Sequence, residues 1–402
     1  MTDKHVLLQF PDFRRLFIAR LISSIGDKFY TLALIWWLLS TSLENGKWHL
    51  ALLMVIQVVP VVLFGPLLGT LTDRINKRHA MLVADVIRAL LVGLLTYLLV
   101  ADQLSLPLLY LITFFTAVTG PLFDTAAQAS ITPLTDVAHT AAAVSLLGTV
   151  TQLAVVLGAL LGSVLIHWIG IEGAFLCNAL SYLLSLCFLL PIKTPLNPSG
   201  KREAFEKQFR EGFRFLRQNR PILSLLLLFS LLNLFFAPLL LLLPLLVKEI
   251  LFEDISVLAL CEAALAGGAV LMTVYLSFKK AQKKAYIKLF AANLLMGSGF
   301  LALGFSGQIT PIMLLLMGIG MLLSFTNTLA MTLFQHAVPP EIKGRFFAVL
   351  YTVVYACLPV SYLAVGLLSD VISIAQLFWI SGMGIAVLGL LFLTIPRLHT
   401  QH

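Results

Sequence analysis

The chain has 402 residues, of which 59% are hydrophobic and only 11% charged, with a mean hydropathy of +0.98 and a formal net charge of +8. Soluble domains carry roughly a quarter charged residues, so this composition excludes a soluble globular protein. The positive balance invites a nucleic-acid reading, and the placement of the cations decides against it.

Apolar runs of about 20 residues, the length that crosses a bilayer as helix, recur from one end to the other. They predict twelve spans, at 13–40, 50–72, 79–101, 107–131, 141–167, 172–192, 222–247, 256–278, 285–306, 311–334, 346–369 and 371–395. No small-residue cleavage site follows the first, which therefore reads as a retained helix. The runs are too long and too uniformly apolar for barrel strands. With the N-terminus inside, only Lys47 and Lys248 fall on the outer side, and Arg20, Lys28 and Arg88 lie within spans. All other Lys and Arg fall on the inner side, Arg14, Arg15 and Lys288 at the inner ends of their spans. This is the positive-inside pattern; it predicts cytoplasmic N- and C-termini and accounts for the charge without nucleic acid. Cys177, Cys187, Cys261 and Cys357 all lie within spans, as small packing residues and not as a disulfide framework.

Ionisable residues inside the spans are the most informative, because each costs about 2.5–3.5 kcal/mol at mid-helix on insertion scales. Asp27 sits near the middle of span 1 in SSIGDKFYTLAL, close to Phe29 and Tyr30. Such a carboxylate can take a proton or a cationic substrate group; the alternative is a fixed ion pair with Arg20 or Lys28. In span 3, Asp85 and Arg88 are three apart on one helix face and are expected to pair. Asp124 lies near the cytoplasmic end of span 4. Glu262 in span 8 lies nearer the outer end, without a basic residue close in sequence, as a second titrating group, an outer-gate residue or a side chain reaching a hydrated vestibule.

The one long connector, 193–221, divides six spans from six. It predicts an N-terminal bundle at 1–192, a cytoplasmic linker at 193–221 and a C-terminal bundle at 222–402. Its first part, with Pro195, Pro198 and Gly200, is loop. Its second part sets Phe205, Phe209, Phe213 and Leu216 at helical spacing among Lys207, Arg210, Arg214 and Arg217. That pattern suits a basic amphipathic helix on the inner leaflet, or a solubilising tether. The halves show weak symmetry at an offset of 206 positions: Ser24 and Asp27 map to Ser230 and Asn233, and Pro133 to Pro339. Two parallel six-span repeats are the layout of transporters that rock two bundles about a central site. Pro238, Pro244 and Pro359 mark expected kinks, and Gly158 and Gly162 a small-residue face for close helix approach.

The connector after span 2 reads Gly69-x-Leu71-x-Asp73-Arg74-x-Asn76-Lys77-Arg78. It resembles the loop 2–3 signature of the major facilitator superfamily, Gly-x-Leu-x-Asp-Arg-x-Gly-Arg-Arg/Lys, with Asn76 in place of the second glycine, a residue that tolerates left-handed turns. The stretches DFRRLFIARLISSIGD, EGFRFL and QHAVPPEIKGR are similar to the enterobactin-exporter and macrolide-efflux branch. The span 5 antiporter signature of proton-driven exporters contains a Gly-Pro pair; here Ala159 follows Gly158.

The resemblance implies an all-α major facilitator fold and a secondary active transporter that exports an amphipathic small molecule, a drug or siderophore-like metabolite, against proton entry. A lipid or lysolipid flippase or a proton-coupled importer of the same fold is the alternative. It implies a cytoplasmic gate of Gly69, Asp73, Arg74, Lys77, Arg78 and Asp124. In that gate Asp73 caps a helix of the other half, and Lys77 or Arg78 pairs with Asp124, which can instead be a proton site. Proton-coupling and substrate positions would be Asp27 and Glu262. Tyr30, Phe123, Gln128, Asn233, Phe236, Asn327 and Gln335 would line the cavity or act as polar glue between helices. The expected setting is a bacterial inner membrane, as a monomer acting on a small-molecule substrate and protons among membrane lipids. No cofactor and no metal are expected: neither a Walker-type phosphate loop nor a His-Glu-x-x-His or Cys/His set occurs, and the chain reads as no enzyme.

Overall fold

The computed structural model describes residues 6–41, 45–197, 205–279 and 285–394, except for the side chains of Pro66, Asp73 and 205–208. Among the described residues every regular element is a helix. The chain divides into two compact units. One comprises Met1–Ser40 and Ile56–Glu203, the other Thr41–Val55 and Ala204–His402. This division differs from the expected bundle boundaries in two places. Residues 41–55 group with the second unit, and the linker is shared, its first part with the first unit and its helix with the second.

The first unit holds α1 (Val6–Gln9), α2 (Pro11–Ser40), most of α3 (Gly46–Arg74), α4 (Lys77–Val100), α5 (Leu106–Leu134) and α6 (Thr140–Leu189). At 1.5 Å per residue a straight helix of α6's 50 residues would run about 75 Å, more than twice the ~30 Å apolar core of a bilayer. It is not straight: Gly170, at φ 75° and ψ 179°, breaks it where the fifth and sixth predicted spans meet. A side chain resists that backbone region and glycine does not. α2 packs along α6, and a Cβ on Gly158 would stand 2.6 Å from the Lys28 Cβ, so the small face expected at Gly158 is the one that admits α2.

α4 is built inside out compared with a helix of a soluble protein. It exposes Val83, Val86, Leu90, Leu94 and Tyr97, and buries Asp85, Arg88 and Thr96. An apolar outer face with polar groups turned inward is what a lipid solvent selects. Asn76 has extended backbone (φ −67°, ψ 120°) and caps α4, its side-chain oxygen accepting from the backbone N–H groups of Arg78 (3.0 Å) and His79 (3.3 Å). Its residue type is thus explained by capping, not by the left-handed turn that the sequence suggested.

The second unit holds the first residues of α3, then α7 (Phe205–Gln218), α8 (Arg220–Phe236), α9 (Pro238–Leu245), a π turn (Leu246–Ile250), α10 (Ile255–Ser277), α11 (Ala285–Phe305), α12 (Ile309–Ala337), α13 (Lys343–Leu368) and α14 (Ile374–Leu391). The seventh predicted span is interrupted at Pro238, where α8 gives way to α9, and its end is the π turn after Pro244. α13 continues through Pro359. Asp254 caps α10, and Ser373 with Gln376 forms a capping box on α14. Lys47 pairs with Glu249 at 2.9 Å, and Trp48 and Ala51 pack on Gly366 of α13.

By length and composition ten helical segments of the described residues can cross a membrane, with 140–189 counted once. α2 is outside that set because Asp12, Arg14, Arg15, Arg20, Asp27 and Lys28 interrupt its apolar sequence.

α10 and α12 approach backbone to backbone. A Cβ on Gly320 would lie 1.9 Å from the Leu265 carbonyl oxygen, whereas one on Gly318 meets nothing within 4 Å. Gly320→Ala should therefore push the helices apart and destabilise by about 1–3 kcal/mol. Gly318→Ala should be neutral or stabilising by up to ~1 kcal/mol through helix propensity. Thermal unfolding of both variants in detergent checks the contrast; equal behaviour would refute the packing.

Candidate functional site

The ionisable residues of the first unit converge on Arg88. α4 carries it one turn from Asp85, and the two stand 3.0 Å apart with the Asp85 side chain at 0% exposure and Arg88 at 4%. The contact is Coulombic and not an aligned hydrogen bond, since neither Asp85 oxygen has a hydrogen-bond partner among the described residues. The guanidinium lies between two rings, 4.9 Å from the centroid of Phe123 on α5 and 4.9 Å from that of Tyr182 on α6. Arginine suits this place because its flat, weakly hydrated cation can stack on aromatic faces in an apolar interior.

Asp27 of α2 completes the group. Its Oδ2 stands 4.0 Å from Arg88 Nη1, and the Tyr182 hydroxyl donates a hydrogen bond to its Oδ1. Its side chain is 40% exposed, unlike that of Asp85. One carboxylate is sealed against the arginine, then, and a second shares the same cation while remaining partly exposed. Tyr30, also on α2, is buried, with its hydroxyl 3.1 Å from Thr113 Oγ1 and its ring against Phe175.

Asp124 stands next to this group, one residue before Thr125, whose side chain meets Gly69 and Thr72 near the end of α3. It pairs with Arg20 of α2 at 2.7 Å, and Arg20 lies 5.4 Å from the Phe123 ring. Lys77 and Arg78 reach elsewhere. Lys77, almost wholly buried, donates from Nζ to the Asn197 carbonyl at 2.7 Å, and its backbone N–H bonds Leu196. Arg78 donates to the Leu190 carbonyl, and Arg15 to that of Pro191 at 2.9 Å. The pairing of Lys77 or Arg78 with Asp124 expected from the loop signature is absent here. These cations instead hold residues 190–197, the exit from α6 and the start of the linker, with Ile192 and Leu196 in the core.

Asp12 fixes the same strap, accepting from the Lys193 and Thr194 backbone N–H groups at 3.1 and 2.9 Å and from the Thr194 hydroxyl at 2.7 Å. Partial burial pushes its carboxyl up, but the bonds from Thr194, Arg15 and Lys193 outweigh that and hold it below the ordinary carboxylate value.

Of the remaining gate positions, Gly69 faces Thr125 of α5 and Arg74 is exposed at the end of α3, while the Asp73 side chain lies outside the described residues. Phe123 is fully buried, whereas Gln128 and Gln335 are exposed. In the second unit Asn233 is half-buried and donates to the Phe229 carbonyl of its own helix at 2.8 Å, and Phe236 stacks edge-on with Phe300. Asn327 and Glu262 are half-buried.

Two members of the cluster go beyond what the sequence assigns: Arg20, expected as a partner for Asp27, pairs with Asp124, and Tyr182 is not among the expected site residues. A signal for Tyr182 exists: Asn178, Ser181, Tyr182 and Ser185 recur at i, i+3, i+4 and i+7, a polar stripe on an otherwise apolar helix.

Removing one partner of a buried ion pair leaves an uncompensated charge, at about 3–5 kcal/mol. Arg88→Gln should destabilise by that order, and Arg88→Gln combined with Asp85→Asn should recover most of it. Thermal unfolding of the two variants reads the difference; failure of the double variant to recover would refute the pairing.

For the strap, a carboxyl held below its unfolded value stabilises above the unfolded pKa, and the stabilisation is lost as pH falls through the folded one. Hydrogen exchange, corrected for intrinsic rate, should therefore show the Lys193 and Thr194 amides protected at neutral pH and unprotected in strong acid. In Asp12→Ala they should be unprotected throughout; protection persisting in Asp12→Ala would contradict this anchoring.

The profile of the Major Facilitator Superfamily matches residues 16–361. Macrolide efflux protein A of Streptococcus pyogenes is 25% identical over 386 residues, covering 92% of each chain. The structure of a POT family transporter in complex with 5-aminolevulinic acid superposes with a TM-score of 0.77 at 13% identity, covering 96% of each chain. That of a point mutant of the nucleoside transporter NupG superposes with a TM-score of 0.75 at 11% identity, covering 96% of this chain and 100% of that one. At those identities the structures speak to fold alone, whereas the profile spans most of the sequence. The chain belongs to the Major Facilitator Superfamily of multi-pass membrane transporters.

Proposed function

We propose that the protein is a proton-coupled exporter of an amphipathic small molecule, working by alternating access through twelve spans in a bacterial inner membrane, with both termini cytoplasmic. The efflux function named for the streptococcal relative supports the direction and makes a macrolide-like drug the first candidate, with a siderophore-like metabolite the second. The proposed working form is a monomer, acting on its substrate and protons among membrane lipids.

The observation that carries the coupling is the state of Asp27: a 40% exposed carboxylate that accepts from Tyr182 and lies 4.0 Å from the buried Arg88 cation. When ionised, Asp27 is drawn to Arg88. On taking a proton it loses that attraction, and the Arg88–Asp85 pair can close on itself. A cationic group of the substrate can occupy the place of the proton, so the two compete for one carboxylate. The coupling thus biases a two-state equilibrium by the difference in how each state holds a charged and a neutral Asp27. Glu262 on α10 is the second proposed titrating group. The polar and aromatic residues Tyr30, Phe123, Gln128, Asn233, Phe236, Asn327 and Gln335 contribute to substrate contact or helix cohesion. Gly69, Asp73, Arg74, Lys77, Arg78 and Asp124 act at the cytoplasmic gate.

The test uses purified protein in liposomes with an imposed pH gradient, assayed against macrolides, siderophores and lysolipids. Asp27→Asn should lower gradient-driven transport at least tenfold while leaving thermal unfolding and gradient-independent exchange in place. Undiminished gradient-driven transport in that variant would remove Asp27 from the coupling; transport of lysolipids alone would replace the drug reading with a flippase.

A further inference from the structure

α7 is amphipathic, and part of its apolar side is spent on the protein. Leu216 is 1% exposed, Phe215 stacks edge-on with Phe346 of α13, and Glu211 pairs with Arg345 at 2.5 Å. Gly212 lies so close to α13 that a Cβ would stand 2.6 Å from the Arg345 carbonyl oxygen. These contacts explain why EGFRFL and the later IKGR belong together: one docks on the other. They also withdraw Leu216 of the sequence pattern from lipid, while Phe213 of the same pattern stays outward.

What the docking leaves outward is a different stripe. Arg210, Phe213, Arg214 and Arg217 stand at i, i+3, i+4 and i+7, one face of a helix, and all four are exposed, Phe213 by 48%. Glu211, the acidic residue between them, is engaged by Arg345. α7 ends at Gln218, two residues before Arg220 opens the apolar α8, and it packs on the first turns of α13, which begins at Lys343. It therefore sits at the level where two membrane-crossing helices start, on the side that the Lys and Arg distribution makes cytoplasmic. An arginine stripe with an aromatic ring at that depth has the chemistry of a headgroup contact: guanidinium forks match phosphate oxygens, and the ring enters the boundary between headgroup and acyl chain.

We propose that the outer face of α7, formed by Arg210, Phe213, Arg214 and Arg217, is a binding site for anionic phospholipid of the inner leaflet. Each basic residue near an anionic surface adds attraction that falls off within a Debye length. The site is independent of which solute the protein carries, and its test reads no transport.

In the full-length protein, Phe213→Trp places a reporter at the centre of the stripe, and subtracting the spectrum of the parent removes the five native tryptophans. The variant is placed in nanodiscs of phosphatidylcholine containing equal mole fractions of either brominated phosphatidylglycerol or brominated phosphatidylcholine, with bromine in the upper acyl chain. Brominated phosphatidylglycerol should quench Trp emission in the difference spectrum at least twofold more than brominated phosphatidylcholine. The preference should fall with rising salt and survive millimolar inorganic phosphate. Adding Arg210→Gln, Arg214→Gln and Arg217→Gln should abolish the preference without shifting thermal unfolding, because all three side chains are exposed. Equal quenching by the two lipids, a preference that persists in the triple glutamine variant, or no quenching by either would each overturn the proposal. Loss of the preference in inorganic phosphate would assign the stripe to the free anion instead.

Discussion

The Arg88 guanidinium is the constraint about which the first unit is arranged. A cation nearly without solvent access is stable only if opposite charge and polarisable surface replace the water it has lost. Asp85 supplies the charge at 3.0 Å and the faces of Phe123 and Tyr182 supply the surface. Those groups come from α4, α5 and α6, so one side chain fixes the mutual position of three helices. Asp27 brings in the fourth, α2, through Arg88 and the Tyr182 hydroxyl. The same arrangement that satisfies a structural debt therefore leaves the Asp27 carboxylate 40% exposed beside a sealed ion pair.

The margin at the loop between α3 and α4 follows a second logic. The loop 2–3 cations, with Asp12 and Arg15, gather the chain that leaves α6 and bind it by its carbonyl and N–H groups. A segment just past a helix end has backbone groups with no ladder to join, and basic side chains supply the donors that those carbonyls need. After it, α7 is bound by Glu211 and Phe215 to the start of α13. The linker is thus anchored at each end by a different unit, and the motifs that looked like isolated signatures in the sequence are the two halves of those anchors.

Close helix approach sets the remaining geometry. In lipid, helices gain little from hiding apolar surface, so packing depends on small residues and on shape. Gly158 in the first unit and Gly320 in the second are places where any added carbon meets a neighbouring helix. In the second unit polar side chains mostly satisfy themselves within their own helices, as Asn233 and Asn293 do by donating to carbonyls four residues back. The charged interactions described for the two units are accordingly unequal, with the dense cluster in the first.

The sequence alone determined the solvent and the class of fold. Run length, the one-sided cations and the loop 2–3 signature are local or additive properties, and they need no knowledge of neighbours. It also located the intramembrane charges, because each is conspicuous in an apolar run, and the Asp85–Arg88 pair, because residues three apart share a helix face. Tertiary structure decided every partner distant in the chain: Arg20 for Asp124, Tyr182 for Asp27, the Asn197 carbonyl for Lys77 and the Leu190 carbonyl for Arg78. It also decided which face of α7 is spent on protein and which is left outward. Helical periodicity gives the direction of a side chain around its own axis but not which helix lies opposite, nor at what height. That depends on how the helices cross, and the crossings are set by contacts between residues more than a hundred positions apart, such as Asp27 and Tyr182.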